Sequence, residues 1–246
     1  MPSQHLRGIF VLLCGIAGLT LAGCAGSASP AESGANDPLE GVNRKIFDFN
    51  LVVDHNVLKP VAIAYRDNLP DPVKNGIRNF LENLDTPEIL LNDVLQGEFS
   101  RAHDTVGRFI INSSLGLGGF IDLAGDNGLA GHSADFGQTL GVWGVPPGPY
   151  LMVPVLGPFD LRDGIGYAGD ALVDPLNRYT NGEGFEFVTY TRSGASGVDT
   201  RSRNIEALDR IESTSLDFYA EIRSMYLQRR QAIIRHEQPT GPEPGL

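Results

Sequence analysis

Residues 136–159 read FGQTLGVWGVPPGPYLMVPVLGPF and contain no charged side chain. The stretch is long enough to cross a bilayer, but its five glycines and five prolines exclude a regular helix over most of its length. One interpretation is a buried loop of the core. The other is a segment that meets lipid tails, where irregular backbone must be shielded by protein or line a cavity. The candidate lipid-facing residues are then Trp143, Tyr150, Leu151 and Met152.

Apolar residues at helical spacing lie on both sides of this stretch and predict a mainly α protein. The predicted helices before it cover residues 39–53, 58–66, 72–83 and 87–95, and another begins at Phe99. Asp37, followed by Pro38 and Glu40, is the expected N-cap of the first helix. After the stretch, apolar residues from 205 to 226 predict one long helix or two shorter ones.

Shorter patterns predict how these helices are joined and capped. Residues 115–119 are rich in glycine and follow a predicted helix rather than a strand, so they favour a bend over a dinucleotide-binding loop. Residues 149–154 favour a short extended segment. Asp135 is an expected helix cap, and Arg162 with Asp163 is an expected structural pair at a helix start.

The N-terminus has the features of a bacterial lipoprotein signal. Arg7 precedes an apolar run over residues 9–21, which is too short to span a membrane. The run ends in Leu-Ala-Gly-Cys at residues 21–24, a lipobox, so cleavage is predicted between Gly23 and Cys24. The Cys24 sulfur would carry diacylglycerol with fatty acyl chains such as palmitate. The alternative is an ordinary secretory signal with a cysteine there by chance.

Four regions follow from these patterns. Residues 1–23 are the predicted signal peptide, and residues 24–36 are a lipidated, flexible tether of small and polar residues. Residues 37–236 form the predicted helical domain, and residues 237–246, with three prolines, are a predicted disordered tail. Cleavage removes Cys14 and leaves only the lipidated Cys24, so the mature chain would have no disulfide.

Composition argues against several classes of function. The formal net charge of −11 makes the chain a poor partner for nucleic acid or for anionic lipid surfaces. His55, His103, His132 and His236 have no metal-ligand spacing, and no free cysteine is expected, so no metal site or other cofactor is predicted. No Gly-x-Ser-x-Gly motif is present. The sequence therefore predicts a protein without catalytic residues.

The mature chain resembles the MlaA (VacJ) family of outer-membrane lipoproteins. The similarity runs in order through residues 37–163. Its most specific block is Asp135-Phe136-Gly137-Gln138-Thr139-Leu140-Gly141, followed by Trp143-Gly144-Val145, Gly148-Pro149-Tyr150 and Leu161-Arg162-Asp163. After Pro175 the similarity lies mainly in helical character.

The resemblance implies a ring-shaped helical domain that lies in one membrane leaflet, with Pro/Gly-rich apolar loops and an amphipathic channel. It implies removal of mislocalised phospholipids from the outer leaflet of the outer membrane, without bond cleavage, so that lipid asymmetry is maintained. The implied partners are phospholipid, the outer membrane, a trimeric porin and a soluble periplasmic lipid carrier. Ala25, by analogy with other lipoproteins, favours a lipid-anchored position on the periplasmic side of the outer membrane.

Two other functions remain open at this point. One is a lipid-anchored scaffold or interaction protein of the outer membrane without transport activity. The other is a phospholipase or other surface enzyme, which would depend on a single Ser, His or Asp.

A narrower hypothesis concerns Phe47, Asp48, Phe49 and Asn50, where two aromatic residues flank a carboxylate on the first amphipathic helix. This candidate channel or gating helix would position the ring and influence channel opening. The alternative is that Phe47 and Phe49 serve only as core or lipid-facing anchors.

Overall fold

A computed structural model describes residues 36–183, 186–237, 239 and 241–244. The predicted signal peptide, Gly23, Cys24 and all of the tether before Asn36 lie outside the described residues, as do four residues of the predicted tail. The helices are α1 Glu40–Val53, α2 Lys59–Asn68, α3 Asp71–Gln96, α4 Phe99–Ser114, α5 Leu123–Asp126, α6 Phe136–Val142, α7 Leu161–Val173, α8 Pro175–Glu183, α9 Glu186–Thr214 and α10 Phe218–Ile234. Strands β1 Tyr150–Val153 and β2 Gly157–Asp160 form an antiparallel hairpin, and a π-helical segment Asp54–Leu58 joins α1 to α2.

The mainly α fold class is confirmed. The 205–226 region divides into two helices, because α9 ends at Thr214 and Asp217 caps α10 with its carboxylate. The described helices include none that combines the length and the apolar character needed to cross a bilayer.

The prediction that Asp37 caps the first helix is wrong. Leu39 occupies the N-cap position of α1 and makes no side-chain cap bond. The Asp37 carboxylate instead accepts hydrogen bonds from Asn43 Nδ2 at 2.7 Å, from the Tyr219 hydroxyl at 2.5 Å and from Arg223 Nη1 at 2.7 Å. Two donors from α10 thus hold this carboxylate away from the end of α1.

The prediction of separate helices over 72–83 and 87–95 is also wrong, because α3 continues through Pro87. Proline removes one backbone N–H and crowds the preceding turn, at a cost of about 3 kcal/mol in a helix interior. The helix persists because it packs against α4, α6 and α9 along its length. Tertiary contacts therefore override the local preference of Pro87 for a break.

The hairpin is held by two asparagines that lie on the same face of α1, about two turns apart. Asn43 donates to the carbonyl of Tyr150 and accepts from the amide of Met152, both at 3.0 Å. Asn50 donates to the carbonyl of Val153 at 3.0 Å and accepts from the amide of Val155 at 2.8 Å. Their amides pair with the free edge of β1, as a third strand would.

The main core lies between α1, the hairpin, α9 and α10, and consists of Phe47, Tyr150, Met152, Leu208, Tyr219, Ile222 and Tyr226. Contacts run from α1 through the hairpin, α10, α6, α3, α9 and α2, and return to α1 through the π-helical segment. The packed elements thus form a closed circuit.

Candidate functional site

The larger cavity has a volume of about 540 Å³ and lies against α3, α7, α8, α9, α10 and the hairpin. Its lining includes many charged residues, both acidic and basic. The charged residues are Asp85, Glu88, Asp135, Asp163, Asp170, Asp174, Arg192, Arg229, Arg230 and Glu243. A volume of this size is typical of sites that bind small organic ligands.

A second cavity of about 390 Å³ lies between α3, α4 and the loop after α5. Its lining is also polar, and includes Asn83, Thr105, Asn112 and Asp122. Asp85 and Ser133 line both cavities. The two spaces therefore adjoin along one side of α3.

Arg192 lines the larger cavity and contacts Asp85, which lines both cavities. It pairs with Asp85 on α3, and its Nη1 lies 2.7 Å from Asp174 Oδ2 at the end of α7. Burial alone would lower the pKa of Arg192, but the hydrogen bonds and charges of the two carboxylates outweigh burial and raise it. Arg192 is thus a fixed cation that connects three helices across the polar interior.

A second charge network closes the other end of the larger cavity. Arg230 Nη1 and Nη2 donate to Asp135 at 2.7 and 2.9 Å, and Nη2 also donates to Asp163 at 2.8 Å. The Tyr226 hydroxyl donates to Asp163 at 2.6 Å and accepts from the amide of Asp160 at 2.8 Å. These bonds join the hairpin, α6, α7 and α10. The expected role of Asp135 as a cap is confirmed, because its carboxylate accepts from the Gln138 amide.

Glu88 lines the larger cavity from α3. No hydrogen bond or ion pair joins its side chain to any described residue. Burial, followed by the charges of Asp170, Asp85 and Asp174, raises the pKa of Glu88 from 4.5 to about 8. An empty cavity therefore favours the protonated form of Glu88 at neutral pH.

Large apolar side chains cover much of the outer surface. On and after α4, Phe99, Ile110, Leu115 and Leu117 are each at least 60% exposed. Exposed apolar residues elsewhere include Val42, Phe49 and Val52 on α1, Leu161, Ile165 and Leu172 on α7, and Phe187 and Tyr190 on α9. A contiguous apolar surface built from such side chains would be typical of a site that contacts protein or lipid.

The four residues of the proposed gating helix point in two directions. Phe47 is buried against Phe218 and Tyr219, and Asn50 is buried at the hairpin. Asp48 is exposed, and Phe49 is 50% exposed. None of the four is among the lining residues of the two cavities. An influence on channel opening stays a prediction, and it would act through the hairpin.

The lipid-facing prediction is wrong for Tyr150 and Met152, which belong to the core. Both side chains lie on the inner face of β1, because alternate residues of a strand point to opposite faces. Leu151, on the other face, is partly buried, and Trp143 is 54% exposed with its indole N–H donated to the Leu95 carbonyl at 3.0 Å. For these two residues, lipid contact stays a prediction.

Sequence reasoning missed the cavity residues Asp85, Glu88 and Arg192. A signal was available on α3, where Asp85, Glu88 and Asn92 share one helical face in an otherwise amphipathic segment. The partner of Asn92 is Asp170, 78 positions further along the chain, and the partner of Asp85 is Arg192, 107 positions further along. Sequence spacing alone could not predict pairs at such separations.

Asp93, Thr105 and His132 lie in contact with one another, and the last two line the smaller cavity. His132 Nε2 lies 2.8 Å from Asp93 Oδ1, and the Thr105 hydroxyl donates to Asp93 Oδ2 at 2.7 Å. The same hydroxyl also lies 3.5 Å from His132 Nε2, so its shorter contact is with the carboxylate. Over residues 36–183, 186–237, 239 and 241–244, no three or more His, Cys, Asp or Glu side chains are grouped to hold a metal ion.

Comparison with known proteins gives consistent matches. The family model for MlaA lipoprotein matches residues 35–233. The intermembrane phospholipid transport system lipoproteins MlaA of Shigella flexneri and of Escherichia coli strain K12 are 38% and 37% identical over 221 residues, which is 87% of this chain and 84% of each relative. A solved structure described as the structural basis for maintenance of bacterial outer membrane lipid asymmetry aligns with a TM-score of 0.73 and 39% identity, over 80% of this chain and 98% of that one.

Proposed function

This chain belongs to the MlaA lipoprotein family, and we propose that it removes mislocalised phospholipid from the outer leaflet of the outer membrane and so maintains lipid asymmetry. The observation that carries the proposal is the pair of adjoining cavities, each lined in part by charged side chains, in a helical body with many exposed apolar side chains. A phospholipid needs both environments, because its headgroup is polar and its tails are apolar.

In this mechanism the domain lies in one leaflet as a ring, with its exposed apolar side chains against acyl tails. Trp143, Leu151 and the exposed side chains of α4 are the proposed tail contacts. The headgroup enters the polar interior, where the cavity side chains replace water. Passage between the cavities requires the Arg192–Asp85 pair to separate, because Asp85 lines both of them. No bond of the lipid is broken, so the protein is not an enzyme.

The anchor and the partners complete the proposal. Cleavage between Gly23 and Cys24 would leave a lipidated cysteine that holds the domain on the periplasmic side of the outer membrane. Two or three acyl chains are enough for stable anchoring. A trimeric porin beside the ring and a soluble periplasmic carrier that receives the lipid are the proposed partners.

The test is deletion of the gene followed by measurement of outer-leaflet phospholipid and detergent sensitivity. Both should rise, and both should be restored by the wild-type gene. Unchanged values in the deletion strain would contradict the proposal. A Ser133→Trp variant separates transport from a scaffold role, because Ser133 lines both cavities and a bulky side chain there would obstruct passage between them. Leu216→Trp, at a fully exposed position, is the matched control.

A scaffold predicts that Ser133→Trp restores the deletion strain as well as Leu216→Trp does. Transport predicts restoration by Leu216→Trp only. Equal amounts of both variants in the membrane fraction show that obstruction, rather than loss of the folded protein, causes the difference.

A further inference from the structure

The charges that line the larger cavity do not all neutralise one another. Arg192 is paired with Asp85 and Asp174, and Arg230 is paired with Asp135 and Asp163. These pairs leave the cavity with groups of both signs that lack a charged partner. Among them are Glu88 on α3, Asp170 on α7 and Arg229 on α10.

Glu88 on α3 and Asp170 on α7 both line the cavity, and the charge of Asp170 acts on the Glu88 carboxyl group. The Asn92 side-chain amide lies 3.1 Å from both Asp170 Oδ1 and the backbone carbonyl of Glu88. The other donor to Asp170 is the backbone amide of Phe136 at 2.8 Å, so both of its donors are neutral. Asp170 is only 6% exposed, and its pKa is raised chiefly by burial.

Two neighbouring carboxylates in a partly buried site repel each other unless one is protonated or a cation lies between them. No described residue donates a hydrogen bond to the Glu88 carboxyl group. A ligand ammonium would supply both a positive charge and hydrogen bonds. Its positive charge would offset the repulsion from Asp170 that otherwise keeps Glu88 protonated, so Glu88 would release its proton to solvent and bind the ammonium as a carboxylate.

Arg229 supplies the opposite charge in the same cavity. It lines the cavity from α10 and forms no ion pair with a described residue. A guanidinium group matches the geometry of a phosphate, which it can bind through two parallel hydrogen bonds. The cavity thus offers an acceptor for a cation and a donor for a phosphate, as a zwitterionic headgroup requires.

We infer that this cavity selects phospholipids with a primary ammonium in the headgroup, of the phosphatidylethanolamine class, over anionic phospholipids such as phosphatidylglycerol. Glu88 and Asp170 accept the ammonium, and Arg229 binds the phosphodiester. The inference rests on the proposed function, because it assumes that phospholipid headgroups enter the cavity. A quaternary ammonium fits less well, since it donates no hydrogen bonds to Glu88.

The test uses the full lipidated protein in detergent, incubated with an equimolar mixture of phosphatidylethanolamine and phosphatidylglycerol with identical acyl chains. Native mass spectrometry then counts the lipids retained. Wild type should favour phosphatidylethanolamine about tenfold, the effect of one hydrogen bond to a charged group. Glu88→Gln should bring the ratio close to one, and Glu88→Lys should favour phosphatidylglycerol.

Two further variants control for folding and for the site. Glu221→Gln, at an exposed position on α10 outside the cavity, should keep the wild-type ratio. Arg229→Gln should lower retention of both lipids and leave their ratio unchanged, because both carry the phosphate. This second result is independent of Glu88, and it still tests the site if the Glu88 variants fail to fold.

The outcomes separate the inference from the proposed function. If wild type retains the two lipids in the same ratio as the mixture, headgroup selection is contradicted. The proposed transport function is not affected by that result. A ratio that the Glu88 variants do not change contradicts the assignment of Glu88. Absence of retained lipid contradicts both selection and the proposed function.

Discussion

Arg201 on α9 and Asp54 at the start of the π-helical segment form a two-point ion pair, with Nε 2.8 Å from Oδ1 and Nη2 2.9 Å from Oδ2. Both residues are at most 3% exposed. The pair ties the turn between α1 and α2 to the longest helix. Segments with π-helical geometry are often found at functional sites, and here one is fixed by a buried charge.

We expect Asp54→Ala to destabilise the protein by about 3 kcal/mol, because Arg201 would remain as a buried charge without its main partner. The measurement is the free energy of unfolding of the detergent-solubilised protein. The double variant Asp54→Leu, Arg201→Met should recover most of the loss, since apolar residues can replace a buried ion pair. A double variant no more stable than Asp54→Ala would contradict this explanation.

The asparagine contacts to the hairpin give a second prediction. Asn50→Leu should destabilise the protein by about 1 to 3 kcal/mol, because the Val153 carbonyl and the Val155 amide lose their partner. Hydrogen exchange at Val155 should become faster in the variant. Asn56→Leu is the matched control, since the exposed Asn56 bonds only the carbonyl one turn before it. Equal exchange at Val155 in both variants would show that Asn50 does not hold the turn.

The raised pKa of Glu88 predicts a pH dependence of stability. The folded protein keeps this proton up to about pH 8, whereas the unfolded chain releases it near pH 4.5. The stability that Glu88 contributes is therefore fully present below pH 4.5 and is lost as the pH rises through 8. Glu88→Gln mimics the protonated form, so it should melt higher than wild type at pH 8.5.

The melting temperatures of the two proteins should converge at pH 4.5, measured in detergent without lipid. Comparing them isolates Glu88 from the other groups near it, which are Asp85, Asp170, Asp174 and Arg192. A difference that is the same at both pH values would mean that Glu88 is not the titrating group.

Phe47 and Phe49 form a natural pair for testing the gating hypothesis. Phe47→Ala should cost about 3 to 5 kcal/mol of stability, because it leaves a cavity beside Phe218 and Tyr219. Phe49→Ala and Asp48→Ala alter exposed side chains, so they should leave stability almost unchanged. If α1 influences channel opening, these two variants will still change the detergent sensitivity of the cells. Unchanged sensitivity together with unchanged folding would rule out a gating role.

Local patterns in the sequence were sufficient for much of the fold. The helical periodicity, the cap at Asp135 and the bend at 115–119 depend on neighbouring residues, and the structure confirms each of them. The extended segment at 149–154 is confirmed as β1. Its partner β2 starts four residues after β1 ends. Pro154 and Gly157 are of types unfavourable in strands, so the sequence did not predict this pairing.

Tertiary structure decided what single residues do. The helix that contains the exposed Pro87 continues because other parts of it pack against α4, α6 and α9. Asp37 does not cap α1, because its carboxylate binds Tyr219 and Arg223 instead. Tyr150 and Met152 are buried rather than lipid-facing because the register of β1 turns them inward.

The uncharged stretch at 136–159 shows the same division. Its composition alone excluded a membrane-spanning helix, since glycine and proline act on the backbone wherever they lie. Which of its side chains meet the core, the cavity or the outer surface depended on partners from α1, α7 and α10. The charged cavity likewise arises from residues far apart in the chain, such as Asp85 and Arg192, because only folding brings their charges within a few ångströms.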